Sequence, residues 1–332
     1  MVQLLAGLTV PRSPSSPASM IRGSVTVMTG AVSPRSLIVT GVASLAVRQP
    51  LTGPRGPARM VAAGPGAVYL ELPASVPEPR VLVLVVADAS RLPNAVAVAA
   101  EGLDHIAAGP GDGEAWVGRG TVQAGELTVR VLRWWDPSPV LGPLSRVRVE
   151  QGAAALHRAC VTANCGTSLA GDDAPAALAG CCADGDLAGA VEAAEQMVGL
   201  GLGLVPGGDN MISGLLLALR LLGGAIPGGT RAVWLADWLG AAVTSDAARR
   251  TTSLGATLLY CAAHGQASAE VSAVLHGLAD QEPLGPATRA LLATGHTPAS
   301  QALSTGPVAG ADLAWGLVAG CRAAVALALP AR

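Results

Sequence analysis

The stretch richest in chemical possibility is G-L-G-L-G-L-V-P-G-G-D-N, from Gly199 to Asn210. Glycines let successive backbone N–H groups converge on one point. A helix opening directly after them brings its positive dipole end there, and the two together make a site for phosphate or carboxylate. The spacing imitates a dinucleotide fingerprint, but a helical pattern precedes it where that fingerprint requires a strand. A purely architectural reading stands beside the anion site: the glycines turn the chain, and Asp209 accepts orphan N–H bonds at the entry of a buried helix. Other chemistries find less support. Ser168, in C-G-T-S-L-A-G, lacks the G-x-S-x-G turn of a hydrolase nucleophile. No His and carboxylate cluster has metal-ligand spacing, so no metal and no cofactor are expected, although Asp209 and Asp312 can share a cation if the fold joins them.

Composition removes whole classes of function. All 21 basic residues are arginine, which excludes the P-loop lysine, Schiff-base lysines and lysine nucleophiles. They nearly balance 23 acidic residues, for a net charge of -2 without runs of either sign. The electrostatic footprint of a nucleic-acid binder is therefore missing. The six cysteines show neither zinc-site pairs nor the density of a disulfide scaffold, and read as reduced thiols packed as small apolar residues. The first residues lack a basic leader, and the most apolar stretch, Leu200 to Ile226, is interrupted by Pro206, Asp209 and Arg220. No membrane association and a cytoplasmic location are the expectation.

Two kinds of scaffold must position these residues. Alternation of apolar and other side chains at Leu127, Val129 and Val131, and again at Val68, Leu70 and Leu72, predicts half-buried strands. Val81 to Val86 is apolar throughout and predicts a strand covered on both faces, while Leu37 to Val47 reads as one more with a kink at Gly41. From Pro137 to Pro143 the chain reads as a linker, and beyond it the period becomes helical. Leu187, Val191, Ala194 and Val198 form an amphipathic stripe, and Met211 to Leu222 a buried central helix. Further helices are expected at Val147 to Val161, Arg231 to Ser245, Ser253 to Ala263, Ala267 to Ala279 and Gly310 to Leu327. The fold class is α+β: a disordered or mis-assigned extension over residues 1–22, a β-rich domain over 23–137, and an α-helical domain with the glycine-rich loop over 138–332.

The helical half resembles the accessory subunit of bacterial oxamate carbamoyltransferase, the AllH-type family. The resemblance rests on Gly199, Leu200, Gly201, Gly203, Leu204, Pro206, Gly208 and Asp209, on Arg250-Thr251-Thr252, and on Gly295-His296-Thr297 with Ala309, Gly310 and Asp312 after an insertion at Pro298 to Val308. Val205, Gly207 and Asn210 stand where the family has a threonine, a serine and a second aspartate, which removes two hydroxyls and a carboxylate. The resemblance implies a subunit of a complex that moves a carbamoyl group between carbamoyl phosphate and oxamate in purine or allantoin nitrogen catabolism. The alternative is a non-catalytic structural or ligand-sensing subunit that binds a small anion. Expected partners are a small phosphate or carboxylate and other subunits. Such a reaction needs fixed donors for anionic oxygens and a group to take a proton. The catalytic candidates are His296, as proton carrier, and Asp209. The binding candidates are Gly203, Gly207, Gly208 and Asn210 in the loop, Arg250 with its planar fork, the Thr251 and Thr252 hydroxyls, Thr297 and Asp312.

Overall fold

The computed structural model describes residues 37–64, 66–87, 89–99, 103, 114–279, 282–294 and 309–328. Eight strands close a barrel: β1 (Leu37–Ser44), β2 (Gly56–Gly64), β3 (Ala67–Glu71), β4 (Val81–Val86), β5 (Ala95–Val98), β6 (Glu114–Gly118), β7 (Thr121–Ala124) and β8 (Leu127–Trp135). Their order round the barrel is β1-β5-β4-β3-β2-β6-β7-β8, and the parallel pairing of β1 with β8 closes it. Closure leaves no sheet edge to pair with another chain. Leu70, Leu82, Leu84, Val96, Val122, Leu127 and Val129 fill the interior.

Strand character follows what each face meets. In β8, Leu127 and Val129 are buried while Arg130 is exposed, the alternation of a strand with one wet face. β4 is buried at all six positions, as its apolar run requires. β3 departs from its expected half-exposed alternation, because Val68, Tyr69 and Leu70 are all buried. The reason is tertiary: Leu254 and Leu258, from a helix in the second half of the chain, pack on the outer face of β3 and β4. β1 has its irregularity between Gly41 and Val42 and stops at Ser44. There the serine side chain accepts from Ala46 N at 3.1 Å and turns the chain into a short 3-10 segment, Leu45–Val47.

Eleven helices are described: α1 (Arg48–Thr52), α2 (Arg146–Thr162), α3 (Ala174–Asp184), α4 (Leu187–Met197), α5 (Gly207–Ala225), α6 (Thr230–Ser245), α7 (Ala247–Arg250), α8 (Ser253–Ala263), α9 (Ala269–Leu278), α10 (Leu284–Ala293) and α11 (Ala309–Leu327). Side-chain caps set several starts, among them Ser145 for α2, Asp186 for α4, Thr252 for α8 and Ser268 for α9. α5 is the axis of this half, buried continuously from Gly207 to Leu219. It lies against α11 at a distance that only glycine permits: a Cβ on Gly214 would strike the backbone of Leu313 and Leu317, and one on Gly316 the backbone of Met211 and Leu215. α11 is long and apolar enough to cross a membrane by composition, yet 72% of its apolar window is buried within the fold.

Side-chain hydroxyls of α8 tie the barrel to the helices. Thr257 of α8, fully buried, accepts from Val81 N at 3.1 Å and Arg80 N at 3.2 Å, and donates to Glu78 Oε2 at 2.8 Å. Ser253, at the start of the same helix, donates to Glu71. α8 therefore docks on the sheet with both an apolar pair and a polar clasp.

Candidate functional site

The glycine-rich stretch doubles back on itself between α4 and α5. Gly199 has φ +78°, and a Cβ there would strike the carbonyl of Arg250. A Cβ on Gly208 would likewise strike the carbonyl of Met197, at the end of α4. Glycine at these two positions lets the loop lie directly on its neighbours. The helix starts at Gly207, four residues before the expected Met211, because Pro206 sits at the N-cap and the Gly-Gly pair continues straight into the first turn.

Two donors of this turn are engaged inside the chain. Gly208 N donates to Leu200 O at 2.9 Å, and Asn210 N to Pro206 O at 3.1 Å. Asp209, fully buried, accepts from Gly199 N at 2.8 Å and from the Thr251 hydroxyl. Thr252 accepts from Gly255 N at 2.9 Å as the cap of α8 and donates to Leu204 O at 2.6 Å. Arg250 donates to Glu195 O at the end of α4, and its guanidinium lies 3.9 Å from Asp246. Asp209, Gly207, Gly208, Thr251, Thr252 and Arg250 are thus brought together, as a knot of hydrogen bonds that locks the loop to α4, α7 and α8.

Asp312, in the first turn of α11, is buried beside the other side of the same turn. It accepts from the Thr167 hydroxyl at 2.7 Å, the Ser168 hydroxyl at 2.7 Å and Ser168 N at 3.0 Å. Gly207 leans on this group, since a Cβ there would overlap Ser168 Oγ and approach Asp312 Oδ2 at 2.7 Å. Positions 207 and 209 are about 200° apart on a helix, so the two carboxylates face away from each other across α5. Among the described residues no cluster of three or more His, Cys, Asp or Glu side chains has the form of a metal site. Burial raises the pKa of Asp209 and of Asp312, against the hydrogen bonds that favour their charged forms. Gly203 has φ +103° in the loop. His296 and Thr297 lie outside the described residues, as do the remainder of the Gly295 to Val308 stretch and the start of the N-terminal β-rich region.

Next to the knot, on the cavity side of α5, a space of about 510 Å³ opens between the barrel and the helices. Tyr69 and Val85 from the outer face of β3 and β4 form one wall, Leu254 and Leu258 of α8 another, and Asn210, Ser213 and Leu217 of α5 the floor. Of the sequence-predicted residues that are described, Asn210 is the one that lines it. Ser213 and Gln266, on the same lining, were not singled out by sequence. A serine inside an apolar helix and a glutamine in a short connection carry no spacing signal. Thr167 and Ser168 also escaped notice as partners of Asp312, because 144 residues separate Ser168 from it. The cysteines behave as small apolar residues: Cys160, Cys182, Cys261 and Cys321 are buried and all six are free. Burial pushes the Cys182 thiol up to about 12, which makes it inert.

No curated protein and no solved structure matches the chain. One family model does: residues 197–321, running from the end of α4 through the glycine-rich turn and the Arg-Thr-Thr element into α11, match the family described as oxamate carbamoyltransferase subunit AllH, the family that these motifs resemble.

Proposed function

We propose that this chain is an accessory subunit of a complex of the oxamate carbamoyltransferase type, acting in purine or allantoin nitrogen catabolism in the cytoplasm. The observation that carries the reading is the family match across residues 197–321, which contains the knot around Asp209 and most of the helical core. In this reading the chain contributes a rigid helical platform, and partner subunits supply the groups that grip carbamoyl phosphate and the small carboxylate or amide acceptor. The engagement of Arg250, Thr251, Thr252 and the Gly208 amide within the chain favours this division of labour. A docking face is at hand on α6. Trp234 and Trp238, one turn apart, are 51% and 57% exposed, with ring centroids 6.2 Å apart. Exposed tryptophan is enriched at the anchoring points of protein interfaces.

The test is to purify the chain with and without the products of neighbouring genes and to assay carbamoyl transfer. Expected are co-purification and activity of the assembled complex, and loss of both for the Trp234→Ala, Trp238→Ala double variant with the helical content of the chain unchanged. Assembly and activity that are indifferent to the pair would remove α6 as the docking face, and no assembly at all would remove the subunit reading.

A second reading keeps a catalytic role for Asp209 and His296, with the anion held near Gly203, Gly207, Gly208 and Asn210 by Arg250, Thr251, Thr252 and Thr297. The observation favouring it is the burial-raised pKa of Asp209, since raised carboxyls are common among proton-transferring groups. In that case His296→Ala should lower turnover in the complex with substrate binding retained, and Arg250→Ala should weaken binding of phosphate.

A further inference from the structure

The cavity between barrel and helices has a wall of one kind. Aliphatic side chains dominate it, among them Val85, Val86, Leu217, Leu254, Leu258 and Val271. A volume of about 510 Å³ falls within the range of pockets that enclose a small organic molecule. Glu270 is the charged side chain among the described lining residues, and it accepts from Ser90 Oγ at 2.8 Å, on an exposed contact. A carboxylate or phosphate inside would meet this like charge, with no guanidinium among the same residues to offset its loss of water. An ammonium paired with Glu270 would stay at the wet edge, where an ion pair gains little. The aliphatic wall is therefore suited to a neutral body.

One polar tip reaches that wall. Tyr69, on the outer face of β3, is 9% exposed and lines the cavity. Its ring belongs to the cluster of Val83, Val85 and Leu254 that joins the sheet to α8, so its position is fixed by packing. Its hydroxyl has no hydrogen-bond partner among the described residues, yet it is not sealed in by neighbouring atoms as the Ser213 hydroxyl is. Burial raises its pKa to about 12, so the phenol keeps its proton at neutral pH and has it to donate. Buried polar groups in folded proteins are nearly always paired. An acceptor oxygen on an apolar molecule would supply the missing partner.

We propose that this cavity binds a neutral, mainly hydrocarbon molecule carrying an acceptor oxygen, of the ketone or ester class. The oxygen accepts from the Tyr69 hydroxyl, and the hydrocarbon lies against Leu217 of α5 and Leu254 and Leu258 of α8. The described walls belong to this chain alone, so the binding stands or falls separately from the carbamoyltransferase reading.

The test is calorimetric titration of the full chain at neutral pH with hexyl methyl ketone, toluene, octanoate and octylammonium. The ketone and toluene should both bind. Octanoate and octylammonium should be at least about tenfold weaker than the ketone, since a charged head loses far more than a neutral one on leaving water. Tyr69→Phe should weaken the ketone about fivefold, the worth of one neutral hydrogen bond, while toluene, which has no acceptor oxygen, keeps its affinity. Leu258→Trp, which places a large ring in the cavity, should abolish binding of both. Should that variant not fold, the contrast between ketone and toluene in Tyr69→Phe decides. Failure of the ketone to bind at millimolar concentration would overturn the proposal. So would octanoate or octylammonium binding as tightly as the ketone, the latter marking Glu270 as the anchor. A Tyr69→Phe variant that leaves the ketone unchanged, or weakens toluene equally, would overturn it as well.

Discussion

Around the first two turns of α5, buried polar groups fare in opposite ways. The carboxylates of Asp209 and Asp312, on opposite faces of the helix, are buried with hydrogen bonds on both oxygens of each. On the same helix the Ser213 hydroxyl is buried with no hydrogen-bond partner among the described residues, and Asn210 makes one long bond. Saturated polar groups in a protein interior fix a shape, because every member is held by another. A bare one embedded in aliphatic wall fixes nothing in the chain and is costly to keep. The difference separates a turn whose polar groups are locked in place from one buried hydroxyl left unsatisfied, within one stretch of seven residues.

The fold is most sensitive where α5 and α11 touch. Gly316→Val places side-chain atoms where the backbone of Met211 and Leu215 already lies, and should cost about 3 kcal/mol or more. Denaturant unfolding would read this as a sharp drop in the midpoint, and a midpoint near that of the parent would show that the helices can separate freely. Next in size is Asp312→Ala, which leaves two hydroxyls and one backbone N–H without their acceptor. A loss of about 2–3 kcal/mol is expected, with Asp312→Asn recovering part of it. Thr257→Val strips the acceptor from Val81 N and leaves Arg80 N with Glu78 Oε2 alone, and should cost about 1–3 kcal/mol. Amide exchange should then rise first at the start of β4.

The smallest effect concerns pH. Burial raises the pKa of Asp209 and Asp312 in the folded chain, so the folded state holds these protons more tightly than the unfolded one. The stabilisation is fully present below the ordinary aspartate value and is lost as pH rises through the raised one. Melting temperature should therefore fall as pH climbs across that interval, and Asp209→Asn should flatten part of the fall. An unchanged slope in that variant would assign the dependence elsewhere.

Much of this architecture was legible in advance. The period change after Trp135, the buried run of β4 and the apolar length of α5 each reflect a local pattern that tertiary contacts only reinforced. The double burial of β3 was not legible, because it depends on Leu254 and Leu258 arriving from far along the chain. The helix α3 escaped for lack of a clean apolar stripe. At the glycine-rich turn both sequence readings anticipated part of what is found: Asp209 does accept an N–H beside a buried helix start, but it is that of Gly199, across the loop and outside the helix. Of the amides expected to face a ligand, those of Gly208 and Asn210 have found carbonyls of their own loop instead. Gln266 and Ser213 were invisible to any reading by spacing, since what sets them apart is the partner they lack.

The hydroxyl of Thr257 has a practical corollary for anyone wishing to divide the molecule. Because it accepts from the amides at the head of β4 while Leu254 and Leu258 cover the adjoining strand face, excising the barrel would leave an oily sheet surface and the Val81 N–H without its acceptor. Truncations that end between residues 136 and 145 should accordingly yield sticky, poorly soluble fragments from either side of the cut.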